Sequence, residues 1–315
     1  MRIFRRKTVA TKFGIEAENK QFLLGQIAVR QVAQVDSVTS LADVEFSVFS
    51  QWGEDGILEW LISKLGCIPP TFIEFGVEDY RESNTRFLLK NRNWRGLVLD
   101  GSEEMVATIT NDSISWRHDL TAVAAFITRS NIEDLIASAG FGGEIGVLSI
   151  DIDGNDYWVW DAIKNVTPHI VVVEYNSNFG DMVPLTIPYR DDFVRTLAHF
   201  SNLYYGASYK ALEMLGKSKG YVLLGSNRTG SNLFFVREDR AGEIIDTIGE
   251  TKAFPCHVRE ARDKQGNLTL LGGLGRTELI ASCEVVNVLT GHTGALSGFG
   301  PLFSDGWKRA FGVGV

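Results

Sequence analysis

Acidic residues recur at the ends of five short apolar segments between residues 71 and 175. Parallel strands end together at one edge of a sheet, and open α/β sheets bind their ligands there. Acidic groups at all five predicted strand ends exceed what solvation of loops requires, so they indicate a ligand site. The residues at or just after these ends are Glu74 and Gly76, then Asp100, Gly101 and Ser102, then His118 and Asp119, then Asp151 and Asp153, and last Glu174 and Asn176.

The fourth and fifth predicted strand ends favour a divalent cation. Carboxylates brought together at neighbouring strand ends repel one another unless a cation or a proton intervenes. Carboxylate and amide oxygens suit Mg²⁺ or Mn²⁺, and a bound cation would activate an acceptor hydroxyl. The predicted ligands are Asp151, Asp153, Glu174 and Asn176, and the two aspartates are the predicted catalytic residues. Two alternatives stay open: a shared proton would make one aspartate a general base, or DIDGND only caps a helix at Asn155.

The spacing between Gly76 and Asp100 indicates an adenosine ligand. Asp100 follows Gly76 by 24 residues, close to the gap of roughly 20 residues between a dinucleotide fingerprint and its ribose-binding acid. The phosphate-binding G-x-G-x-x-G loop is absent, because the loop reads GVEDYRES. Glu78 and Asp79 would repel a pyrophosphate. An adenosine ligand that carries positive charge and no phosphate fits better, and S-adenosylmethionine is such a ligand.

Five sequence patterns together resemble a known family: FSQWGEDGIL, FIEFGV followed by ESNT, WRGLVLDGS, SIDIDGNDYWVW and VVVEYN. They are similar to motifs of class I S-adenosylmethionine-dependent methyltransferases, and among these to FkbM-like and other sugar or natural-product O-methyltransferases. The resemblance covers residues 49–237. It implies a doubly wound, mostly parallel Rossmann-like sheet of about seven strands that ends in an antiparallel hairpin. The cofactor-binding residues that it implies are Glu74, Gly76, Asn84, Asp100, Gly101, Ser102, His118, Asp119 and Asp151, with Asp100 at the ribose and Asp119 at the adenine.

The resemblance also implies a reaction. Metal-dependent O-methyltransferases place an acid after the fourth strand and an acid with an amide after the fifth, as this sequence does. We expect methyl transfer to a hydroxyl of a carbohydrate or a glycosylated metabolite, with acceptor contacts from Tyr204, Tyr205 and Ser208. Two other functions stay open. One is a nucleotide-dependent oxidoreductase or epimerase, which the missing phosphate loop disfavours. The other is a catalytically degenerate fold that serves in binding or assembly.

Short apolar runs that alternate with helical patterns predict the architecture. TFIEF, GLVLD, SISWR, IGVLSID and HIVVVEY are typical of buried strands, and the helices between them indicate parallel crossovers. A helix is predicted over residues 189–199, and YVLLG with NLFFVR predicts an antiparallel hairpin. We expect an N-terminal helical extension over residues 1–48, a Rossmann-like domain over residues 49–240, and an irregular C-terminal appendage over residues 241–315.

The composition argues against several classes of protein. The 315 residues include 31 basic and 39 acidic ones, a net charge of -8, which disfavours binding of nucleic acid through phosphate neutralisation. The apolar runs are far shorter than the roughly 18 residues of a membrane helix, and the basic start lacks the apolar core of a signal peptide. Three scattered cysteines argue against a disulfide scaffold and a structural zinc site. We expect a cytoplasmic protein with a small-molecule or glycan acceptor, no integral membrane segment and no nucleic-acid partner.

The segment before residue 49 predicts one further element. Apolar residues at helical spacing indicate an amphipathic helix over residues 13–35. Its apolar stripe must pack against another surface. Either the helix packs on its own domain, or it forms a contact in a homo-oligomer.

Overall fold

A seven-stranded sheet lies at the centre of the structure, a computed structural model that describes residues 2–312 and the side chains of residue 14 and residues 16–312. Its strands are β1 (Thr71–Phe75), β2 (Arg95–Asp100), β3 (Leu120–Ala124), β4 (Gly143–Ile150), β5 (Val166–Glu174), β7 (Tyr221–Ser226) and β8 (Asn232–Arg237). The order is β3–β2–β1–β4–β5–β8–β7, in which β1 to β5 are parallel and β8 is antiparallel to β5 and β7. The predicted Rossmann-like sheet with its terminal hairpin is confirmed.

Helices surround the sheet. They are α1 (Arg2–Val32), α2 (Glu54–Leu65), α3 (Arg86–Arg92), α4 (Glu103–Asn111), α5 (Ile114–Arg117), α6 (Ile132–Ser138), α7 (Asp156–Ala162), α8 (Arg195–Ala198), α9 (Tyr209–Ser218), α10 (Glu238–Ala241), α11 (Leu274–Leu279) and α12 (Asp305–Ala310). The central strands are apolar along their length because both of their faces are covered. In β1, Phe72 packs in one core cluster with Leu61 of α2, and Ile73 packs in another with Trp160 of α7.

The third strand begins later than the sequence pattern predicts. The predicted strand at residues 113–117 is wrong, because Ile114–Arg117 forms α5 and the strand is β3. Trp116 is 73% exposed, so only one side of this segment faces the core. The true strand lies at the edge of the sheet and is only half-buried. An edge strand needs no continuous apolar run, so its sequence LTAVA gives a weak signal.

The segment between β5 and α9 associates with the C-terminal part of the chain. The predicted helix over residues 189–199 is wrong except for the single turn of α8. Within this segment, β6 (Leu185–Thr186) joins β9 (Glu284–Asn287) and β10 (Thr293–Ala295) in an antiparallel three-stranded sheet. A third core cluster combines Phe179, Leu185 and Leu203 with Ile280 and Leu296. Contacts between distant parts of the chain therefore replace the predicted local helix.

The N-terminal helix packs against the domain that follows it. Gln21 Nε2 donates to Val48 O at 2.6 Å, and Phe22 lies edge-on to Phe87 with ring centroids 5.9 Å apart. On the other side of α1, three large apolar side chains are exposed: Leu23, Leu24 and Ile27. The contact of α1 with another copy of the chain stays a prediction. Within residues 2–312, neither α1 nor a shorter helix has the length and apolar character that a membrane crossing requires.

Candidate active site

A cleft of about 620 Å³ opens at the carboxyl ends of β1, β2, β4 and β5. This is the edge at which open α/β sheets bind ligands, and its volume falls in the range of small-molecule sites. Nine of the predicted residues line it: Glu74, Gly76, Asn84, Asp100, Gly101, Asp151, Asp153, Glu174 and Tyr205.

Glu74 fixes the loop that follows β1. Its buried carboxylate accepts hydrogen bonds from Ser83 Oγ at 2.9 Å, Asn84 N at 2.8 Å and Thr85 N at 3.0 Å. The Thr85 hydroxyl donates a further hydrogen bond to it. Asn84 Nδ2 in turn donates to Ser149 Oγ of β4 at 3.1 Å. Glu74 therefore positions the loop beside the cleft, and its own oxygens are largely occupied.

Gly76 allows the loops after β1 and β4 to touch. Its φ is +73°, and a Cβ built on it would lie 1.6 Å from the carbonyl oxygen of Asp151. Its N–H donates to Leu99 O at 2.9 Å. No residue with a side chain fits this position, which explains the glycine after TFIEF.

Asp100 ends β2 with its carboxylate held in place. Oδ2 accepts from Glu78 N and Oδ1 from Ser102 N, both at 2.8 Å. Glu78 has a φ of +47°, so its backbone adopts an unfavourable conformation that aims the N–H at Asp100. Each carboxylate oxygen keeps a free lone pair toward the cleft. Ser102 lies outside the cleft and caps α4, where its Oγ accepts from Met105 N at 3.3 Å.

His118 and Asp119 lie at the amino ends of the strands, away from the cleft at the carboxyl ends. They precede β3 instead of following a strand, because the strand begins at Leu120. Asp119 is exposed, with its Oδ2 3.8 Å from Arg95 Nε at the amino end of β2, and His118 Nδ1 contacts Asn93 Oδ1 at 3.2 Å. The structure therefore places neither residue near the cleft. The wrong strand position accounts for this error.

Residues after the true end of β3 occupy that side of the cleft. Ala125, Phe126 and Ile127 line it, and Ala125 N donates to Asp100 O at 2.9 Å. Phe126 is 48% exposed, so its ring is accessible at the cleft. The sequence contains the signal, since AAFI follows LTAV directly, but it is visible only when the strand is placed correctly.

Three acidic side chains meet at the ends of β4 and β5. Carboxylate oxygens of Asp151, Asp156 and Glu174 lie within 4.8 Å of one another. Glu174 Oε2 is buried and has no hydrogen-bond donor among the residues that the structure describes. Burial and the neighbouring negative charges raise the pKa of Asp151 and of Glu174 well above the ordinary range. At neutral pH this pair therefore retains a proton or binds a cation.

Asp156 completes this acidic cluster from the first turn of α7. Its Oδ1 accepts from Ile152 N at 2.8 Å and its Oδ2 from Gly154 N at 2.9 Å. Burial raises the pKa of Asp156 to about 6. Asp156 thus shapes the turn DIDGND, and the helix begins here with Asn155 as its N-cap residue. The sequence analysis offered two interpretations of DIDGND, a helix start and an acidic site. This geometry is compatible with both.

Asp153 and Asn176 are engaged elsewhere. Asp153 forms an ion pair with Arg195 of α8. Asn176 is fully buried: its Nδ2 donates to Leu203 O at 2.8 Å and to Tyr205 O at 2.9 Å, and its Oδ1 accepts from Asn178 N. The structure therefore does not bring all four predicted metal ligands together.

Of the predicted acceptor contacts, only Tyr205 lies in the cleft. Tyr204 donates its hydroxyl to Glu284 O. Ser208 caps α9 and is fully buried, with its Oγ donating to Val183 O at 2.9 Å. Both residues tie the segment before α9 to its surroundings. Arg195 stacks on Tyr205, its guanidinium carbon 3.8 Å from the ring centroid.

The C-terminal part of the chain forms one wall of the cleft. Cys256, Val258, Glu260 and Arg276 line it together with the loops of the sheet. Weak periodicity and many glycines hide this role in the sequence. The whole cleft is strongly acidic: nine carboxylates line it, against the guanidinium groups of Arg195 and Arg276. The acidic residues are Glu54, Glu74, Glu78, Glu82, Asp100, Asp151, Asp153, Glu174 and Glu260.

Comparison with models of protein families gives no match, and comparison with curated protein sequences gives none either. Solved structures overlap with part of the chain. An S-adenosylmethionine-dependent methyltransferase from Clostridium acetobutylicum is 12% identical, covers 58% of this chain and 90% of its own, and has a TM-score of 0.38.

Two further structures overlap to a similar extent. An O-methyltransferase family protein from Burkholderia thailandensis is 10% identical over 59% of each chain, with a TM-score of 0.36. The N-terminal domain of EvdMO1, solved with S-adenosylhomocysteine and D-fucose, is 9% identical over 57% of this chain and 80% of its own, also with a TM-score of 0.36. Overlaps this partial identify no activity, so the function must be argued from the cleft itself.

Proposed function

We propose that this protein binds S-adenosylmethionine and transfers its methyl group to a hydroxyl oxygen. The observation that carries the proposal is the acidic cleft at the strand ends, built around Gly76 and Asp100. Nine carboxyl groups line the cleft beside two guanidinium groups, so its charge stays negative even when Asp151 and Glu174 share a proton; it therefore favours a cationic ligand and repels a nucleotide polyphosphate. The sulfonium and ammonium groups of S-adenosylmethionine meet this requirement. The same charges argue against a nucleotide-dependent oxidoreductase or epimerase.

Asp100 and Phe126 are the residues that would hold the adenosine. The backbone N–H groups of Glu78 and Ser102 orient the Asp100 carboxylate. This carboxylate can accept hydrogen bonds from both hydroxyl groups of a ribose. The half-exposed ring of Phe126, at the same edge of the cleft, offers an apolar surface to the base. Gly101 lines the cleft beside Phe126, and a Cβ built on it would lie 3.7 Å from Phe126 Cδ2.

Asp151 and Glu174 are the residues that would handle the proton. In the transfer, the acceptor oxygen forms a bond to the methyl carbon while the carbon–sulfur bond breaks, and the acceptor loses its hydroxyl proton. A carboxyl pair that shares one proton still has one carboxylate free to accept another, so it can act as general base. Polar neighbours in the cleft, Asn202 and Asn232, suit a hydroxyl-rich acceptor such as a carbohydrate or a glycosylated metabolite.

Calorimetric titration with S-adenosylhomocysteine tests cofactor binding. We expect Asp100→Ala to weaken binding by about 10- to 150-fold, because a charge-assisted hydrogen-bonding group is lost. Asp119→Ala removes the same charge where the strands of the sheet begin and should leave affinity within about twofold, since that exposed side chain lies beside Arg95 and away from the cleft. Melting temperatures show whether both variants are folded. Absence of heat with the native chain, or equal losses in both variants, would contradict the proposal.

A divalent cation is the second element of the proposed function. Asp151 and Glu174, with Asp156, present carboxylate oxygens within 4.8 Å of one another, and the unpartnered Oε2 of Glu174 has the character of a free ligand. This donor set fits Mg²⁺ or Mn²⁺. When bound, such an ion would make an acceptor hydroxyl more acidic. Asp153 and Asn176 drop out of the proposed ligand set, since Arg195 and backbone carbonyls occupy them.

Titration with Mn²⁺, followed by electron paramagnetic resonance on the S-adenosylhomocysteine-saturated protein, tests the cation. Glu174→Gln should weaken Mn²⁺ binding by at least about tenfold, because it removes a charged ligand. Asp119→Asn, which removes a carboxylate where the strands begin, is the matched control and should change affinity little. If the native chain binds no Mn²⁺, or if the control loses as much affinity, then the carboxyl pair acts as general base without a metal.

A further inference from the structure

Arg276 is a buried cation in the wall of the cleft that the C-terminal part of the chain forms. It lies on α11 and is only 4% exposed. Its Nη1 donates to Val258 O at 2.7 Å. Its Nε is buried without an acceptor in the described part of the chain. The guanidinium thus keeps donors unused in a wall that faces the cleft.

Arg86 is buried as well, but it has an acidic partner, and Arg276 differs from it. Arg86, 7% exposed, lies 3.3 Å from Glu18, and the half-buried Arg195 is paired with Asp153. Within residues 16–312, no carboxylate oxygen lies within 4 Å of a side-chain nitrogen of Arg276. Burying a charge is costly unless it is paired and hydrogen-bonded. A ligand that supplies an oxyanion would remove this cost.

From these contacts we infer that the methyl acceptor carries an anionic group, a carboxylate or a phosphate, that Arg276 binds. The inference rests on the proposed function, because it assigns the second ligand of the same cleft. The planar guanidinium presents two parallel N–H donors, which match the geometry of a carboxylate or phosphate. An anion at this wall would also orient the neutral hydroxyl end of the acceptor toward the carboxyl pair of Asp151 and Glu174.

Cys256 provides a local reporter of this wall. It lines the cleft beside Val258 and is partly exposed. The alkylation rate of its thiol by the neutral reagent iodoacetamide can be followed by peptide mass spectrometry, which separates it from Cys67 and Cys283. Inorganic phosphate and acetate are titrated separately against the S-adenosylhomocysteine-saturated protein, with sodium chloride holding the ionic strength constant. Protection by one anion and not the other would show which group the acceptor carries.

We expect one of these anions to slow Cys256 alkylation in the native chain. Arg276→Gln should raise the half-protecting concentration by about tenfold or more, because a charge-assisted contact is lost. Arg276→Lys keeps the charge but loses the bidentate geometry. Its half-protecting concentration should therefore lie between that of the native chain and that of Arg276→Gln. Arg259→Gln is the matched control and should behave like the native chain, since Arg259 is exposed and donates to Leu270 O outside the cleft.

Several outcomes would overturn the inference. One is protection no greater than that by chloride, and another is equal protection in Arg276→Gln. A third is a selective loss of S-adenosylhomocysteine affinity in Arg276→Gln, which would assign the guanidinium to the carboxylate of the cofactor. If Arg276→Gln is unfolded by circular dichroism, the native titration and Arg276→Lys decide. If S-adenosylhomocysteine does not bind at all, then the proposed function fails, and anion protection of the ligand-free chain still tests Arg276.

Discussion

Gly76 is where the backbone after β1 comes closest to the backbone after β4. A Cβ at this position would lie 1.6 Å from Asp151 O, and the φ of +73° adds a conformational cost. We expect Gly76→Ala to lower the free energy of unfolding by about 3 kcal/mol or more, because overpacking and left-handed strain combine.

Gly66 is the matched control for this substitution. Its φ is +66°, but no atom lies within 4 Å of a Cβ built on it. Gly66→Ala should therefore show the conformational cost alone, about 1–2 kcal/mol. Urea denaturation measures both values. Equal losses in the two variants would show that the close approach to Asp151 contributes nothing.

Single residues also show what a sequence can and cannot reveal about a site. Glu74, Asp100 and Glu174 could be placed in the cleft because each is the last or next-to-last residue of a strand with a clear apolar run. The partner of Asp153 could not be predicted, since Arg195 lies 42 residues further along the chain. Likewise, the amide of Asn176 looks like a ligand in the sequence, yet the structure uses it to hold backbone carbonyls. Strand position can be read from local patterns, whereas the choice of a side-chain partner depends on tertiary contacts.

At the scale of elements, α1 contains two glycines in very different surroundings. A Cβ on Gly25 would lie 2.4 Å from Val48 Cγ2 and 2.9 Å from Phe87 Cε2, whereas nothing lies within 4 Å of one on Gly14. Gly25→Ala should therefore destabilise the protein by about 1–3 kcal/mol. Gly14→Ala should stabilise it by up to about 1 kcal/mol, because alanine favours the helix.

Thermal or urea unfolding of both variants measures the sign of each effect. Opposite signs would show that α1 is docked on the cluster around Phe87 in solution. The same gain in both variants would mean that α1 is not held there. Its length could be predicted only in part, since the apolar spacing marks the docked portion and not the whole helix.

The central strands of the sheet could be predicted from the sequence, whereas the bounds of elements at its periphery could not. β1, β2, β4, β5 and the hairpin follow their apolar runs closely. The edge strand β3 and the segment around α8 do not, because one is half-buried and the other depends on β9 and the C-terminal cluster. The predicted division at residue 240 stays a prediction, although residues on both sides of it share that cluster.

At the scale of the whole molecule, buried acids make stability depend on pH. Burial raises the pKa of Asp55 to about 7 and that of Asp156 to about 6, whereas an unfolded aspartate titrates near 3.9. Between these values the folded state binds more protons than the unfolded state. The free energy of unfolding contributed by these groups is therefore largest below about pH 4 and falls as pH rises toward 7.

Asp55→Asn isolates one of these contributions. Asp55 Oδ2 accepts hydrogen bonds from Val48 N, Phe49 N and Ser50 N, and an asparagine oxygen can accept them too without a buried charge. We expect the variant to lose less stability than the native chain between pH 5 and pH 7.5, as followed by melting temperature. Asp36→Asn, at a fully exposed side chain, should leave the pH dependence unchanged. An unaltered slope in Asp55→Asn would contradict the assignment.

The two walls of the cleft come from parts of the chain that the ribosome makes at different times. Gly76, Asp100, Asp151 and Glu174 all precede the hairpin, whereas Arg276 follows it. The side proposed for the cofactor is therefore synthesised before the side proposed for the acceptor. A nascent chain that ends between these parts could present an acidic groove to a cationic ligand, but it would lack the wall that receives an anion. On the proposed function, methyl transfer would then have to wait until residue 276 has emerged, which couples the onset of activity to synthesis of the wall that carries Arg276.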